Sequence, residues 1–383
     1  MKKFVSMLMA AILLLSMIPA ATADTVIDPK EDRKIEIQQA GLNETAEGVS
    51  PTTGLTLADL ETPEGFAGLA VTGRYMPMLV QIDNFNGGIG YRAPWGVSYV
   101  DVVYETPLER SGATRLSFLF SDLIPDSVGP VRSARIGHVW LREEWDAGFL
   151  YFGQQEHHKA DAKEELRQLG AVKKGLAFTG MAGAWVEKGY YNRRKGLQPP
   201  HNVDANAAGM YAMIDPELVA PNHAFRFTDA MPEGDAADEI RIDTGKAGYG
   251  SNLIYDVDSN LYFRYMRSGK GNLTAYEDFD TNEHIGFANV IVQFAEVEWG
   301  GSQIPITYHV GEYYKTGKGE KSIGGNADFF MGGVHMKGYW NRADMESRTV
   351  FYTEDGQEVE LQRGKTLVVI VDSERWEVSY KAY

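Results

Sequence analysis

The sequence of 383 residues contains no cysteine. This absence excludes disulfide bonds, metal sites built on thiolates and a cysteine nucleophile. It also excludes the acylated cysteine by which bacterial lipoproteins are anchored. Stability must therefore come from buried area, and about 320 ordered residues are ample for two hydrophobic cores.

Basic side chains are scarce relative to acidic ones. The chain has 37 lysines and arginines against 53 aspartates and glutamates, which gives a formal net charge of −16. A chain this acidic is poorly matched to nucleic acid or to an anionic membrane surface. We therefore predict no nucleic-acid partner, although a local group of arginines can still bind a small anion.

Long hydrophobic runs are also scarce, and the clearest one covers residues 4–18. It follows Lys2-Lys3 and precedes Ala21-Thr22-Ala23, which is the order of regions in a secretory signal peptide. A retained membrane anchor is the competing interpretation, but the run is shorter than the roughly 20 residues that a bilayer requires. We predict that residues 1–23 are removed and that no integral membrane segment remains. Loss of the two lysines changes the formal charge from −16 to −18.

The pattern of the mature chain changes twice along its length. Residues 24–60 are acidic and polar without a sustained hydrophobic period, which predicts a flexible lead-in. Residues 61–235 alternate short apolar runs with helical patterns, which predicts an α/β domain with a mixed sheet. The expected strands cover 78–82, 99–104, 114–120 and 149–152, and the expected helices cover 136–146, 157–169 and a stretch from about 210.

Residues 236–383 consist almost entirely of strand-like runs rich in aromatic and β-branched residues. Two polar turns, at 256–260 and 354–356, are typical of hairpins. The expected strands cover 252–266, 288–299, 304–310, 349–352 and 367–371. The predicted fold is thus α+β or α/β, with an N-terminal mixed-sheet domain followed by a mainly β domain.

The segment 129–135 places two arginines and a serine shortly after the predicted strand 114–120. Guanidinium groups held near a turn commonly bind carboxylates or phosphates. Other polar residues end neighbouring strands or follow the Pro199-Pro200 pair, so we expect several of them to converge. The candidate ligand-binding residues are Asp83, Asn84, Glu105, Arg115, Arg132, Ser133, Arg135, His201 and Asn202.

These residues allow a binding and a structural interpretation. If the segment enters the following helix, Arg132 and Arg135 share one helical face and can clamp two oxygens, with Ser133 adding a hydroxyl or an amide. Alternatively, nearby acids tie the arginines into ion pairs that fasten the loop. His201 has the same two interpretations, as a base near the arginines or as a loop-locking residue, and the second is favoured.

Two further clusters are weaker candidates. Glu105 and Glu109 are a conceivable general-acid pair, but their separation along a strand and turn does not require that they face each other. His157, His158 and Asp161 have a spacing that can place ligands on one helix face, yet a further ligand at suitable spacing is missing. The sequence therefore predicts no metal and no cofactor.

Several segments together resemble the motif series of the YerB family of bacterial lipoproteins. The segment 129–135 is the most specific of them. The resemblance implies an extracytoplasmic envelope protein in which a domain of unknown function precedes a smaller one, and it implies no activity. The chain departs from the family in lacking the lipid-modified cysteine and in a longer stretch between Glu109 and Thr114. The resembling motifs lie at 83–84, 101–105, 114–115, 129–135, 200–202, 262–264, 289–293, 340 and 364–366.

The sequence thus predicts a secreted or cell-wall-associated protein that is not lipid-anchored and that binds an anionic envelope ligand through its arginines. An envelope enzyme of phosphoryl or glycosyl-phosphate transfer is an alternative, because such chemistry relies on positioning and charge neutralisation. A protein-docking scaffold for another envelope protein is a third possibility, in which the arginines only stabilise the fold.

Overall fold

The computed structural model describes residues 24–33, 43–84, 93–157, 160–181, 183–268, 270–299, 305–307 and 323–383. The predicted signal peptide, residues 1–23, lies outside the described residues, and so does His158. We call residues 24–235 the N-terminal half and residues 236–383 the C-terminal half.

The strands of the N-terminal half largely follow the hydrophobic runs of the sequence. The expectation for residues 114–120 is confirmed to the residue, and all seven side chains of that strand are buried. The strands are β1 (Thr25–Val26), β2 (Met78–Asp83), β3 (Val102–Pro107), β4 (Thr114–Phe120), β5 (Gly148–Tyr151), β6 (Glu156–His157), β7 (Ala160–Asp161), β8 (Ala177–Thr179), β9 (Tyr191–Arg193), β10 (Val203–Ala205), β11 (Arg226–Thr228) and β12 (Asp235–Ala236).

The C-terminal half is rich in strands, and the turn at 256–260 joins two of them as predicted. Residue 304 and residues 308–310 of the expected strand 304–310 lie outside the described residues. The strands are β13 (Glu239–Asp243), β14 (Ser251–Asp256), β15 (Leu261–Arg267), β16 (Leu273–Ala275), β17 (Gly286–Phe287), β18 (Asn289–Ala295), β19 (Glu298–Trp299), β20 (Pro305–Thr307), β21 (Ile323–Met331), β22 (Val334–Arg342), β23 (Val350–Thr353), β24 (Glu360–Gln362), β25 (Thr366–Asp372) and β26 (Glu377–Lys381).

The helices are short, and no helix in the described ranges is both long and apolar enough to cross a membrane. The helix expected over 157–169 is wrong in its first turn, because β6 and β7 occupy those residues. The helix starts later because the Asp161 carboxylate caps it, accepting a hydrogen bond from the Glu164 amide at 2.9 Å. The helices are α1 (Leu69–Thr72), α2 (Ile136–Glu143), α3 (Ala162–Gln168), α4 (Gly183–Glu187) and α5 (Ala207–Tyr211), with 3₁₀ turns at Leu57–Asp59 and Val97–Tyr99.

A central sheet of eleven strands runs through both halves of the chain. Its order is β12-β22-β21-β18-β25-β3-β4-β2-β5-β8, with β23 paired to β22. The two halves meet where β25 pairs in parallel with β3, in a register that places Val368 beside Tyr104. Every residue of β25 and of β3 is buried, as expected for strands covered on both faces.

A second sheet of seven strands packs on one face of the central sheet. It is antiparallel in the order β1-β26-β13-β14-β15-β16, with β17 paired to β15. Alternate residues of β4 pack into two hydrophobic cores, one on each face of the central sheet. Phe118 packs in the core that contains Ile240 of β13. Its neighbour Leu119 packs on the opposite face with Val139 of α2. The predicted combination of an N-terminal mixed sheet and a β-rich C-terminal region is confirmed.

The described residues of the lead-in pack against the body of the protein, which differs from the flexible segment that composition predicts. Thr25 pairs with Tyr380 at the edge of the second sheet. The Arg33 guanidinium is buried and donates to the Ala327 carbonyl at 2.9 Å and to Asp328 at 3.0 Å. The Thr52 hydroxyl is also buried and donates to the Asp101 carboxylate at 3.1 Å. Buried polar partners, which hydrophobic periodicity does not register, order this polar segment.

Candidate functional site

The arginine-bearing segment 129–135 runs in an extended conformation along the end of β2. Backbone hydrogen bonds of 2.8–3.0 Å join residues 130–132 to Gln81 and Asp83 on one side and to Val203 on the other. Strand β5 pairs with β2 only over Met78–Val80. Beyond Val80, the segment 129–135 takes the place of β5 beside β2. This pairing fixes the backbone from which the arginines project.

The segment reaches α2 only at its end, so the expected helical face is wrong. Arg135 is the N-cap, with an extended φ of −123° and ψ of 164°, and the helix begins at Ile136. Arg132 therefore lies in extended chain outside the helix. The two arginines share a site because of the local strand pairing, not because of helical spacing.

His138 is a member of this region that sequence reasoning missed. Its Nδ1 accepts a hydrogen bond from the Arg135 amide at 3.0 Å, and its Nε2 lies 3.1 Å from the Thr106 hydroxyl. Burial lowers the pKa of His138 well below its ordinary value, and the charges of Arg115 and Arg135 add to this effect. The ring is thus neutral and donates through Nε2 to Thr106. The three-residue spacing from Arg135, which is that of a capping box, is the signal that could have found it.

Arg115, Arg132 and Arg135 form what we call the arginine cluster. Arg115 is 3% exposed and donates from Nη1 to the Ser133 carbonyl at 3.1 Å. Burial lowers the pKa of Arg115 to about 9; Asp83 opposes this shift, and the charges of Arg135 and Arg132 reinforce it. Arg132, Ser133 and Arg135 are only partly buried, so the cluster opens to solvent on their side. Like charges are therefore crowded at an accessible position.

Asp83 connects the arginine cluster to the loop that carries His201. Its Oδ2 is hydrogen-bonded to His201 Nδ1 and lies 3.5 Å from Arg132 Nε. Burial alone would raise the pKa of Asp83, but the hydrogen bond from His201 and the charges of Arg115 and Arg132 hold it below its ordinary value. The ionised carboxylate both orients the imidazole and partly neutralises the arginines.

Asn84 and Glu105 belong to a separate buried network. One oxygen of Glu105 accepts from Asn84 Nδ2 at 3.1 Å and from the Thr114 hydroxyl at 2.8 Å. The other accepts from Nη2 of Arg264, in the C-terminal half, at 2.6 Å. Glu109 has different partners, so the two glutamates are not arranged as a shared acid pair. Glu105 is a structural ion-pair residue.

Asn202 and Ser133 have their polar groups engaged in positioning the backbone. The Asn202 carbonyl oxygen accepts from Arg193 Nη1 at 2.8 Å, and its amide nitrogen donates to two carbonyls of the same loop at 3.1 and 3.2 Å. The Ser133 hydroxyl donates to the Phe152 carbonyl at 3.1 Å. Of the nine candidates, the structure therefore brings together Asp83, Arg115, Arg132, Arg135 and His201.

The metal hypothesis for His157, His158 and Asp161 gains no support. The described residues contain no group of three or more histidines or acids that could hold a metal ion. The Asp161 carboxylate is the cap of α3, and His158 lies outside the described residues.

Lys246 and Tyr249, between β13 and β14, bring the C-terminal half to this site and were not identified from the sequence. Lys246 Nζ lies 3.3 Å from Glu109 Oε2 and 5.2 Å from the centre of the Tyr249 ring. Burial raises the pKa of Tyr249 to about 12, and the charges of Asp83 and Glu109 also raise it. Only the long-range packing of the two halves reveals these residues, because nothing in their local sequence is distinctive.

The comparisons with known proteins agree with this two-part organisation. The N-terminal domain of the protein of unknown function DUF3048 matches residues 66–219, and its C-terminal domain matches residues 240–368. A Bacillus subtilis protein named "Putative lipoprotein YerB" is 24% identical over 288 residues, which cover 72% of this chain and 76% of the relative.

A solved structure has the same fold. The crystal structure of YerB from Bacillus subtilis matches with a TM-score of 0.63 at 20% identity, covering 86% of this chain and 99% of that one. The arginine cluster lies within the first matched domain, and Lys246 and Tyr249 lie within the second. The chain therefore belongs to the family of proteins that join the N- and C-terminal domains of DUF3048, the YerB family that its motifs resemble.

Proposed function

We propose that the protein is an extracytoplasmic binding protein of the cell envelope that holds an anionic ligand in the arginine cluster. The signal-peptide pattern of residues 1–23 and the lipoprotein description of the Bacillus relative support the location. Because the chain has no cysteine, we propose that it reaches the envelope without a lipid anchor of the bacterial type.

The state of Arg115 is the observation that carries the binding proposal. Its guanidinium is almost fully buried among two other arginines, and its Nε has no hydrogen-bond partner among the described residues. Among the described residues, the carboxylates of Asp83 and Glu109 act on the arginine cluster, so its three positive groups outnumber them. Burial and, after it, the charges of Arg135 and Arg132 lower the pKa of Arg115, and a bound anion would offset both effects. Arg132, on the solvent side, is placed to make the first contact.

A transferase activity is a second candidate function, because the Asp83 carboxylate is hydrogen-bonded to the His201 ring. A carboxylate that holds one ring nitrogen fixes the orientation and the tautomer of an imidazole, as in many acid–base sites. Arginines beside such a pair can stabilise the charge that develops on a transferring phosphoryl group. Release of phosphate from a phosphate ester by the wild-type protein, and its loss in His201→Gln, would favour this second function.

The binding proposal predicts a ligand-dependent gain in stability that requires Arg132. Inorganic pyrophosphate at 100 times its dissociation constant should raise the free energy of unfolding of residues 24–383 by about 2.7 kcal/mol. Arg132→Met should abolish this gain in thermal unfolding while leaving the unliganded melting temperature nearly unchanged, because loss of the contact with Asp83 is offset by removal of a like charge beside Arg115.

Arg226→Met is the matched control, since Arg226 is an exposed arginine on β11 that pairs with Glu360. This variant should retain the full response to pyrophosphate. Equal responses from Arg132→Met and from the wild type would remove Arg132 from the site. No response of the wild type to pyrophosphate, uronates or acidic wall peptides would overturn anion binding and favour a docking scaffold.

A further inference from the structure

The loop that carries Lys246 and Tyr249 contacts the turn between β3 and β4, and the charges of Arg115 and Arg132 act on Tyr249. Lys246 Nζ lies 3.0 Å from the Ser111 hydroxyl and 3.3 Å from Glu109 Oε2, both on that turn. The turn and the loop are in close contact, because a Cβ added to Gly112 would lie 2.1 Å from the Thr244 carbonyl oxygen. The C-terminal half therefore packs on the turn that leads into β4, the strand of Arg115.

Glu109 lies between positive groups from the two halves. Its pKa is held below its ordinary value although burial would raise it, because Ser111 and Lys246 donate to it and because the charges of Lys246 and Arg135 act on it. Lys246 and Glu109 are both substantially exposed, at 34% and 47% of their side-chain surface. An anion that enters from solvent can therefore reach Lys246 by displacing Glu109.

We infer that Lys246 and Tyr249 form the second wall of the anion site and that its ligand is a phosphoryl group carrying two negative charges. This inference rests on the proposed binding function and assigns its ligand class. One planar guanidinium already satisfies both oxygens of a carboxylate. Three guanidinium groups, one ammonium group and one phenol hydroxyl suit an anion with more oxygens.

The charge of the completed site leads to the same ligand class. Among the described residues, Arg115, Arg132, Arg135 and Lys246 supply four positive charges and Asp83 and Glu109 supply two negative ones, so their formal charges sum to +2. A phosphate monoester matches this charge and a diphosphate matches or exceeds it, whereas a single carboxylate leaves half of it uncompensated. A lipid-linked diphosphate and a free polyphosphate share this chemistry.

Calorimetric titration of residues 24–383 with inorganic pyrophosphate tests the inference. Lys246→Met is expected to weaken binding about tenfold or more, and Tyr249→Phe about threefold to tenfold, because each removes a donor to a charged ligand. Glu109→Gln is expected to tighten binding, because it removes the carboxylate that competes for Lys246. Lys337→Met is the control, since Lys337 is half-exposed and pairs with Glu31 on another edge of the sheet.

The outcomes separate this inference from the proposed function. If the wild type binds pyrophosphate, Arg132→Met loses binding and both Lys246→Met and Tyr249→Phe bind normally, the second wall is wrong and anion binding stands. If galacturonate binds more tightly than pyrophosphate, the phosphoryl assignment is wrong. If the wild type binds neither, both the proposed function and this inference fail. Titration with a short-chain prenyl diphosphate against pyrophosphate distinguishes a lipid-linked ligand, which should bind more tightly, from a free polyphosphate.

Discussion

Replacing Glu105 by alanine is expected to lower the free energy of unfolding by about 3–5 kcal/mol, because it leaves a buried positive charge without its partner. Arg264 is 0% exposed, and Glu105 is 1% exposed. Among the described residues, the guanidinium would keep its contact with the Tyr276 ring, whose centre lies 4.6 Å from Cζ. Asn84 and Thr114 would lose the acceptor that they share. The substitution would therefore weaken the contact between the two halves of the chain, because Glu105 lies in one half and Arg264 in the other.

Urea denaturation measures this effect as a lower midpoint with an unchanged slope. The double variant with Glu105→Gln and Arg264→Met should recover much of the stability, since removing both charges of a buried pair costs less than removing one. Glu360→Ala is the matched control, because the Arg226–Glu360 pair is about half-exposed, and its loss should cost at most about 0.5 kcal/mol. A Glu105→Ala midpoint no lower than that of Glu360→Ala would show that the buried pair does not stabilise the junction.

Much of the fold could be predicted because local pattern and burial agree in the central strands. Residues 114–120 are apolar, aromatic and β-branched almost throughout, and they form β4 over that whole range. The pairing of β25 with β3 could not be predicted, because parallel partners more than 250 residues apart leave no local signal of their register. The prediction of two successive units therefore missed the sheet that they share.

The candidate site could be predicted only for those residues that carry a local signal in the sequence. Arg132 and Arg135 were found because their residue type and the preceding strand are local features, and the guanidinium chemistry follows from them. Glu105 is predicted to join the site from its residue type and its position at the end of a strand, but its partner Arg264 comes from the other half of the chain. Lys246 and Tyr249 reach the site from that half as well. The chemistry of each side chain can be predicted from the sequence, but the residues that it contacts depend on tertiary packing.

The second large effect concerns Asp101 and Asp122, two buried aspartates at the start of β3 and the end of β4. Asp101 Oδ2 accepts hydrogen bonds from the Ser121 amide at 2.6 Å and from the Thr52 hydroxyl at 3.1 Å. Burial raises the pKa of Asp101 well above its ordinary value, and the charge of Asp122 raises it further. Burial also raises the pKa of Asp122. The nearby Tyr75 hydroxyl is buried and has no hydrogen-bond partner among the described residues.

A carboxyl group with a higher pKa in the folded chain binds its proton more tightly there than in the unfolded chain. Its contribution to stability is therefore complete below the unfolded value of about 3.9 and is lost as the pH rises through the raised pKa of Asp101. Asp101→Asn keeps an oxygen that can accept the same hydrogen bonds and removes the second negative charge. We expect this variant to be more stable than the wild type at pH 8, by at least about 1 kcal/mol, and to be nearly equal to it at pH 4.

Urea denaturation of the wild type and Asp101→Asn from pH 4 to pH 8 measures this difference directly. Asp258→Asn removes one negative charge from an exposed turn and controls for the acidity of the whole chain. This variant should change the free energy of unfolding by less than about 0.5 kcal/mol relative to the wild type at every pH. If Asp101→Asn instead loses more stability at pH 8 than at pH 4, the ionised carboxylate is the form that the fold uses. The hydrogen bonds from Ser121 and Thr52 would then outweigh burial, and an ionised rather than a protonated Asp101 would hold the lead-in.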